Sequence, residues 1–104
     1  VREKGATPIL VSLTPRNEWP GGKIERRNDT YGKWYREVVA ETGVEFVDVH
    51  NISADYLDRK GQKKAKAYYN HDHTHTSFKG AQLNAKSVAK GLKDIHSSLA
   101  EYLK

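Results

Sequence analysis

The chain has 104 residues, 37% of them hydrophobic and 30% charged, the balance of a folded globular unit rather than a disordered one. Its apolar runs are about half a dozen residues, short of the roughly 20 a membrane helix needs, and Val1-Arg2-Glu3-Lys4 has no signal-peptide layout, so no membrane partner is expected. The absence of cysteine excludes disulfides and thiolate metal sites, and the net charge of +5 comes with no RNA-binding motif, finger spacing or basic arm, so no nucleic-acid partner is expected either.

Val1 to Gly5 reads as the last turn of a helix closed by glycine. Ile9-Leu10-Val11-Ser12-Leu13, stopped by Pro15, is a short apolar run suited to a strand buried on both faces of a parallel sheet. Arg16 to Asn28, with Pro20-Gly21-Gly22 at its centre, is polar and turn-rich and reads as an exposed loop. Asp29 or Thr30 can cap a helix whose Tyr31, Trp34, Tyr35, Val38 and Val39 fall on one face, with Gly43 closing it. That spacing makes the three aromatics helix core rather than an exposed stacking platform. Val44 to Val49 comes next as a second strand, so the order strand, loop, helix, strand makes a parallel βαβ unit.

Ser53 is expected to cap a short helix through Tyr56 and Leu57 that stops at Gly61, with another helix over Lys63 to Tyr69. Asn70 to Ser77 has no periodicity and reads as a loop, with Ser77 capping the final helix. Ala81, Ala85, Val88, Leu92, Ile95, Leu99 and Tyr102 then recur every three or four residues, the pattern of one long amphipathic helix on which His96 is structural. His50, just past the second strand, is read as packing a loop. No repeat or linker divides the chain, so it forms one structural unit. Two parallel strands leave open edges and too little sheet to cover the helices, and further strands are expected from elsewhere.

Functional groups are densest in Asp72-His73-Thr74-His75. Three readings stand open on spacing alone. Asp72 can orient the His75 imidazole, fixing its tautomer so that the other nitrogen takes a proton from a serine. Alternatively His71, His73 and His75, alternating on an extended segment, can ligate a metal, although further ligands are missing and Asp72 is left without a role. A polar surface loop without chemistry also fits a bare D-x-x-H.

The run His71-Asp72-His73-Thr74-His75-Thr76-Ser77, followed by Gly80-Ala81 and Asn84-Ala85, closely resembles the last block of the rhamnogalacturonan acetylesterases within the GDSL/SGNH hydrolase superfamily. Upstream, Gly5 to Val11 with Thr14-Pro15-Arg16 is similar to a late strand and loop of that family, and Val44 to His50 to its next strand. The resemblance covers essentially the whole chain. It implies a flavodoxin-like, three-layer α/β hydrolase fold. Residues 1–104 would be the C-terminal part of one domain, giving the last two parallel strands, the crossover helix and the long C-terminal helix.

By this resemblance Asp72 and His75 are the catalytic acid and base, with His73 between them. Arg16 and Trp19 lie in the loop after a strand's C-terminal end, where open α/β sheets place ligands, and with His73 they are the expected substrate-binding residues. The family's Gly-Asp-Ser nucleophile block, and its glycine and asparagine oxyanion blocks, have no counterpart here, and no serine lies in a nucleophile elbow. The expected protein removes acetyl groups from rhamnogalacturonan or a related acetylated sugar, outside the cell or in the periplasm. It needs no metal or organic cofactor. Its partners are an acetylated polysaccharide or oligosaccharide and the missing N-terminal half, without which the fragment is inert. The alternatives are a non-catalytic carbohydrate-binding or interaction fragment and a histidine-cluster metal module.

Overall fold

The computed structural model describes residues 1–103. Strands β1 (Ile9–Val11) and β2 (Glu45–Val47) pair in parallel, with Ile9 opposite Glu45, Leu10 opposite Phe46 and Val11 opposite Val47. Helix α1 (Tyr31–Thr42) connects them and ends at Gly43, whose φ of 66° is a left-handed conformation that a side chain would strain. Helices α2 (Val49–Lys60) and α3 (Gln62–Ala65) come next, then the 3-10 turn Lys66–Tyr68, helix α4 (Phe78–Asp94) and a final 3-10 turn, Ser98–Tyr102. The expected α/β class and parallel βαβ unit are borne out. Among the described residues no helix is long and apolar enough to cross a membrane.

Helix α2 starts four residues before Ser53. Asp48 directly follows the strand and its carboxylate accepts the Asn51 N–H at 3.2 Å, so the cap forms there. Ser53 is instead fully buried inside the helix, where its hydroxyl donates to Asn84 Oδ1 at 2.9 Å and lies 2.8 Å from the Ser87 hydroxyl. Ser87 in turn donates to the Leu83 carbonyl at 3.0 Å, so a chain of small polar groups seams α2 to α4.

The C-terminal helix is shorter than its apolar periodicity implies. His96 adopts φ 55°, and the N–H groups of His96 and Ser97 turn back to the carbonyls of Lys93 and Leu92, closing α4 with a Schellman motif. Ser97 then caps the next turn by accepting the Leu99 N–H at 3.3 Å. Apolar spacing persists across this break because Leu99 and Tyr102 fall where a continuous helix would put them.

Close packing needs two glycines of α4. A Cβ at Gly91 would run into the Val47 side chain, and one at Gly80 would overlap the Tyr68 carbonyl oxygen. The main apolar cluster, Ile24, Ala54, Leu57, Ala65, Tyr68 and Tyr69, lies beside this contact. The polar loop after β1 is therefore not simply exposed. Its Ile24 is buried, the Ile24 N–H donates to Asp58 at 2.9 Å, and Arg26 pairs with Asp58 and Asp55 at 2.7 Å each.

On its other side the chain is open. Val11 and Leu13 are exposed, so β1 is not covered on both faces as its apolar run implies. Helix α1 buries no residue completely. Tyr31 and Trp34, expected as core, stack edge to face on the surface with Trp34 53% exposed, while Tyr35 packs partly against Phe46. The radius of gyration is 14.8 Å, against about 13 Å for a compact domain of this length.

Candidate active site

The C-terminal ends of the two strands are bound together by buried polar groups. Ser12 donates to Asp48 at 3.2 Å and accepts the His50 backbone N–H at 2.8 Å. The His50 ring places Nδ1 2.8 Å from the Leu13 carbonyl, an acceptor that requires a proton on that nitrogen. Its buried Nε2 is left without a partner among the described residues. His50 thus packs the loop, as expected, and lines a small cavity of about 30 Å³ together with Arg16, Arg27 and Tyr31.

The segment after β1 carries the loop that holds the functional groups. The buried Tyr69 hydroxyl donates to the Pro15 carbonyl at 2.6 Å, and burial pushes that phenol up to about 12, so it stays a donor. The Asn17 N–H donates to the His73 carbonyl at 2.7 Å. At its neck the loop is closed by an isolated antiparallel bridge between Tyr69 and Thr76, by the Asn70 N–H donating to the His75 carbonyl at 2.9 Å, and by the Asn70 side chain on the Thr76 carbonyl at 3.0 Å. Ser77 caps α4 as expected, accepting the Gly80 N–H while its own hydroxyl donates to the Ala67 carbonyl at 2.7 Å.

Within this frame Asp72 uses both carboxylate oxygens. Oδ1 accepts the N–H groups of Thr74 at 2.8 Å and His75 at 2.7 Å, and Oδ2 lies 2.6 Å from His75 Nδ1. The His75 N–H, the His75 ring and the Thr74 N–H hold the Asp72 carboxyl well below the usual carboxylate range. A carboxylate facing Nδ1 assigns the proton of a neutral imidazole to that nitrogen and leaves the lone pair on Nε2. The His75 side chain is 78% exposed, so this nitrogen is open to solvent. Chemically the pair can accept a proton from a neighbouring hydroxyl and return it.

The other expected site residues lie around this loop. His73 is exposed, with Nδ1 2.9 Å from the Thr74 hydroxyl. Arg16 is exposed one residue before the Asn17 anchor. Direct bonding from Arg27 at 2.6 Å holds the nearby Glu18 carboxyl below its ordinary value, with smaller contributions from His73 and Arg16. Trp19 is half-buried against the apolar cluster and spends its indole N–H on Asn17 Oδ1 at 2.7 Å, so most of the ring anchors the loop. Among the described residues no three His, Asp or Glu side chains come close enough to hold a metal ion, so His71, His73 and His75 do not converge as a ligand set. Asn17, Tyr69 and Asn70, which position the pair, carry no motif that singles them out in the sequence.

No protein-family model matches the chain. It is 32% identical over 105 residues to the protein named "Probable rhamnogalacturonan acetylesterase YesY" of Bacillus subtilis, a match covering 96% of this chain and 48% of that one. A "Rhamnogalacturonan acetylesterase" of Emericella nidulans is 28% identical over 90 residues, covering 86% of this chain and 37% of its own. The crystal structure of protein YxiM from Bacillus subtilis superposes with a TM-score of 0.84 at 21% identity, over 94% of this chain and 28% of that one. The resemblance carried by the histidine-rich block thus extends along nearly the whole chain, and the fold likeness agrees with the α/β architecture. The chain spans about half the length, or less, of the curated relatives it matches.

Proposed function

We propose that this chain supplies the base His75 and its orienting acid Asp72 to a serine esterase that deacetylates an acetylated carbohydrate of the rhamnogalacturonan type. The observation that carries the reading is the 2.6 Å contact of Asp72 Oδ2 with His75 Nδ1, with the opposite imidazole nitrogen open. Similarity to two proteins named as rhamnogalacturonan acetylesterases supports the substrate class. Residues 1–104 then form the C-terminal part of a single hydrolase domain. The rest, carrying the nucleophile and oxyanion donors, covers the exposed Val11, Leu13, Trp34 and Val38. The same reading puts the enzyme outside the cell or in the periplasm, where it meets an acetylated polysaccharide.

In the proposed reaction a serine hydroxyl attacks the acetyl carbonyl carbon while His75 Nε2 takes the hydroxyl proton. As the tetrahedral intermediate collapses to acetyl-serine, His75 returns that proton to the departing sugar oxygen. Water then attacks the acyl-enzyme with His75 again as base, and the proton goes back to the serine as acetate leaves. Asp72 keeps Nδ1 protonated and stabilises the imidazolium throughout. Arg16 and His73 contact the sugar beside the scissile ester.

The test is turnover of a small acetyl ester and of acetylated rhamnogalacturonan by the full-length protein. His75→Ala should lower kcat by about 10³-fold or more. Turnover unaffected by His75→Ala would overturn the proposal.

A further inference from the structure

A groove of about 530 Å³ runs between α2 and α4, away from the Asp72–His75 pair. Its two acids are already neutralised, Asp55 by Arg26 and Asp94 by Lys90, each at 2.7 Å. Among the described residues its cations Arg59, Lys79 and Lys86 make no salt bridge, so the groove carries an excess of positive charge. Lys79 and Lys86 stand two turns apart on α4, about 10 Å along its axis, with the amide of Gln82 between them. That is a spaced row of charges with a hydrogen-bonding group, suited to an extended anionic chain rather than to one compact anion.

Helical periodicity separates this row from the apolar side of α4. Ala81, Ala85, Val88 and Leu92 project from the flank opposite Lys79, Lys86 and Lys90, and between the two flanks Gly80 packs on the Tyr68 carbonyl while Ser87 and Gly91 pack on α2 and β2. The row of cations and the apolar flank are therefore separate surfaces of the same helix. The aromatic rings in the groove already have partners. Tyr56 and Tyr68 meet edge to face at 74°, with Arg59 and Lys60 over the first ring and Lys79 over the second. An RNA or DNA strand recognised by base stacking is disfavoured on that geometry.

We propose that this groove binds a linear, carboxylate-bearing glycan through Arg59, Lys79 and Lys86, as a second contact surface beside the esterase site. The inference rests on the esterase reading only for the glycan identity of the polyanion. Lys79 lies four residues beyond His75, on the first turn of the helix after the loop. The groove therefore begins at the end of α4 that carries the catalytic loop. An acidic polysaccharide held there is kept close to the ester-cleaving groups between turnovers.

The experiment is affinity electrophoresis of the full-length protein through gels containing polygalacturonate, with dextran as the neutral control and single-stranded DNA as competitor. The double variant Arg59→Glu, Lys86→Glu should bind polygalacturonate about tenfold more weakly, with unchanged circular dichroism and unchanged turnover of a small acetyl ester. Wild-type retardation should weaken as salt is added. Unchanged binding by the double variant overturns the proposal, as does equal retardation by dextran or tighter groove-dependent binding of DNA. Loss of binding in the variant of a protein that shows no esterase turnover leaves the groove assignment standing and removes the esterase reading. Turnover without any polygalacturonate retardation removes the groove assignment alone.

Discussion

Asp72 holds His75 twice, through the ring nitrogen Nδ1 at 2.6 Å and through the backbone N–H at 2.7 Å, so one carboxylate sets both the tautomer and the local backbone of the base. Asp72→Asn keeps an oxygen for the backbone N–H groups but turns an amide donor toward Nδ1. The imidazole then carries its proton on the wrong nitrogen. Turnover of a small acetyl ester by the full-length protein should fall by about 10³–10⁴-fold with little change in KM. Steady-state kinetics of the variant checks this.

The loop geometry should survive acidification further than an ordinary aspartate would allow. A carboxyl depressed in the folded state contributes its stabilisation fully above the unfolded value of about 3.9 and loses it only as pH falls through the lower folded value. The protonation step of the Asp72 side-chain carboxyl carbon resonance should therefore come only below about 4. Following that carbon by NMR through an acid titration tests this, and a midpoint at or above the ordinary carboxylate value of about 3.9 would contradict it.

Gly80→Ala should be among the most damaging single changes in the chain. The added methyl overlaps the Tyr68 carbonyl oxygen, a backbone atom that cannot swing aside. Relief requires α4 to shift against Tyr68 and Tyr69 at the neck of the 70–76 loop, since the Ser77 N–H donates to that same carbonyl. A loss of about 1–3 kcal/mol is expected in chemical denaturation, together with a fall in esterase turnover.

Asp58 fastens the loop after β1 to α2. Although partial burial opposes it, the Ile24 N–H and the Arg26 guanidinium hold its carboxyl below the ordinary value. Asp58→Ala leaves the Ile24 N–H without its acceptor and Arg26 with one carboxylate fewer. Stability should drop by about 1–3 kcal/mol by urea unfolding. Because the same loop carries the Asn17 anchor under His73, KM for a polymeric substrate should rise while small-ester turnover changes little.

The features legible in the sequence are those with a local cause. The apolar run before Pro15, the glycine after Thr42, the serine before Phe78 and the three-residue step from Asp72 to His75 each act within a few residues of themselves. The features that escape it depend on distant partners. Ile24 is buried against Ala54, Leu57, Ala65, Tyr68 and Tyr69, with Asp58, 34 residues away, accepting its N–H, and nothing in a polar loop announces that. Trp34 and Val38 lie on a true apolar face, but periodicity does not say whether the surface that covers it belongs to this chain. The end of α4 is hidden for another reason: Leu99 and Tyr102 keep the helical spacing in the sequence although the left-handed turn at His96 has already ended the helix. Spacing alone leaves the Asp72–His75 pair as one of three readings and the resemblance of the surrounding block selects it, whereas its support by Pro15, Asn17 and Tyr69 needs the fold.

The central claim is that His75 activates a serine that lies outside these residues. Its most direct test is the labelling rate of the full-length protein by a fluorophosphonate, followed by intact mass and peptide mapping of the adduct. The expected result is one adduct on a serine outside residues 1–104, formed about 10³-fold more slowly in His75→Ala. Labelling at the wild-type rate in His75→Ala, or an adduct on a serine of this chain, would contradict it.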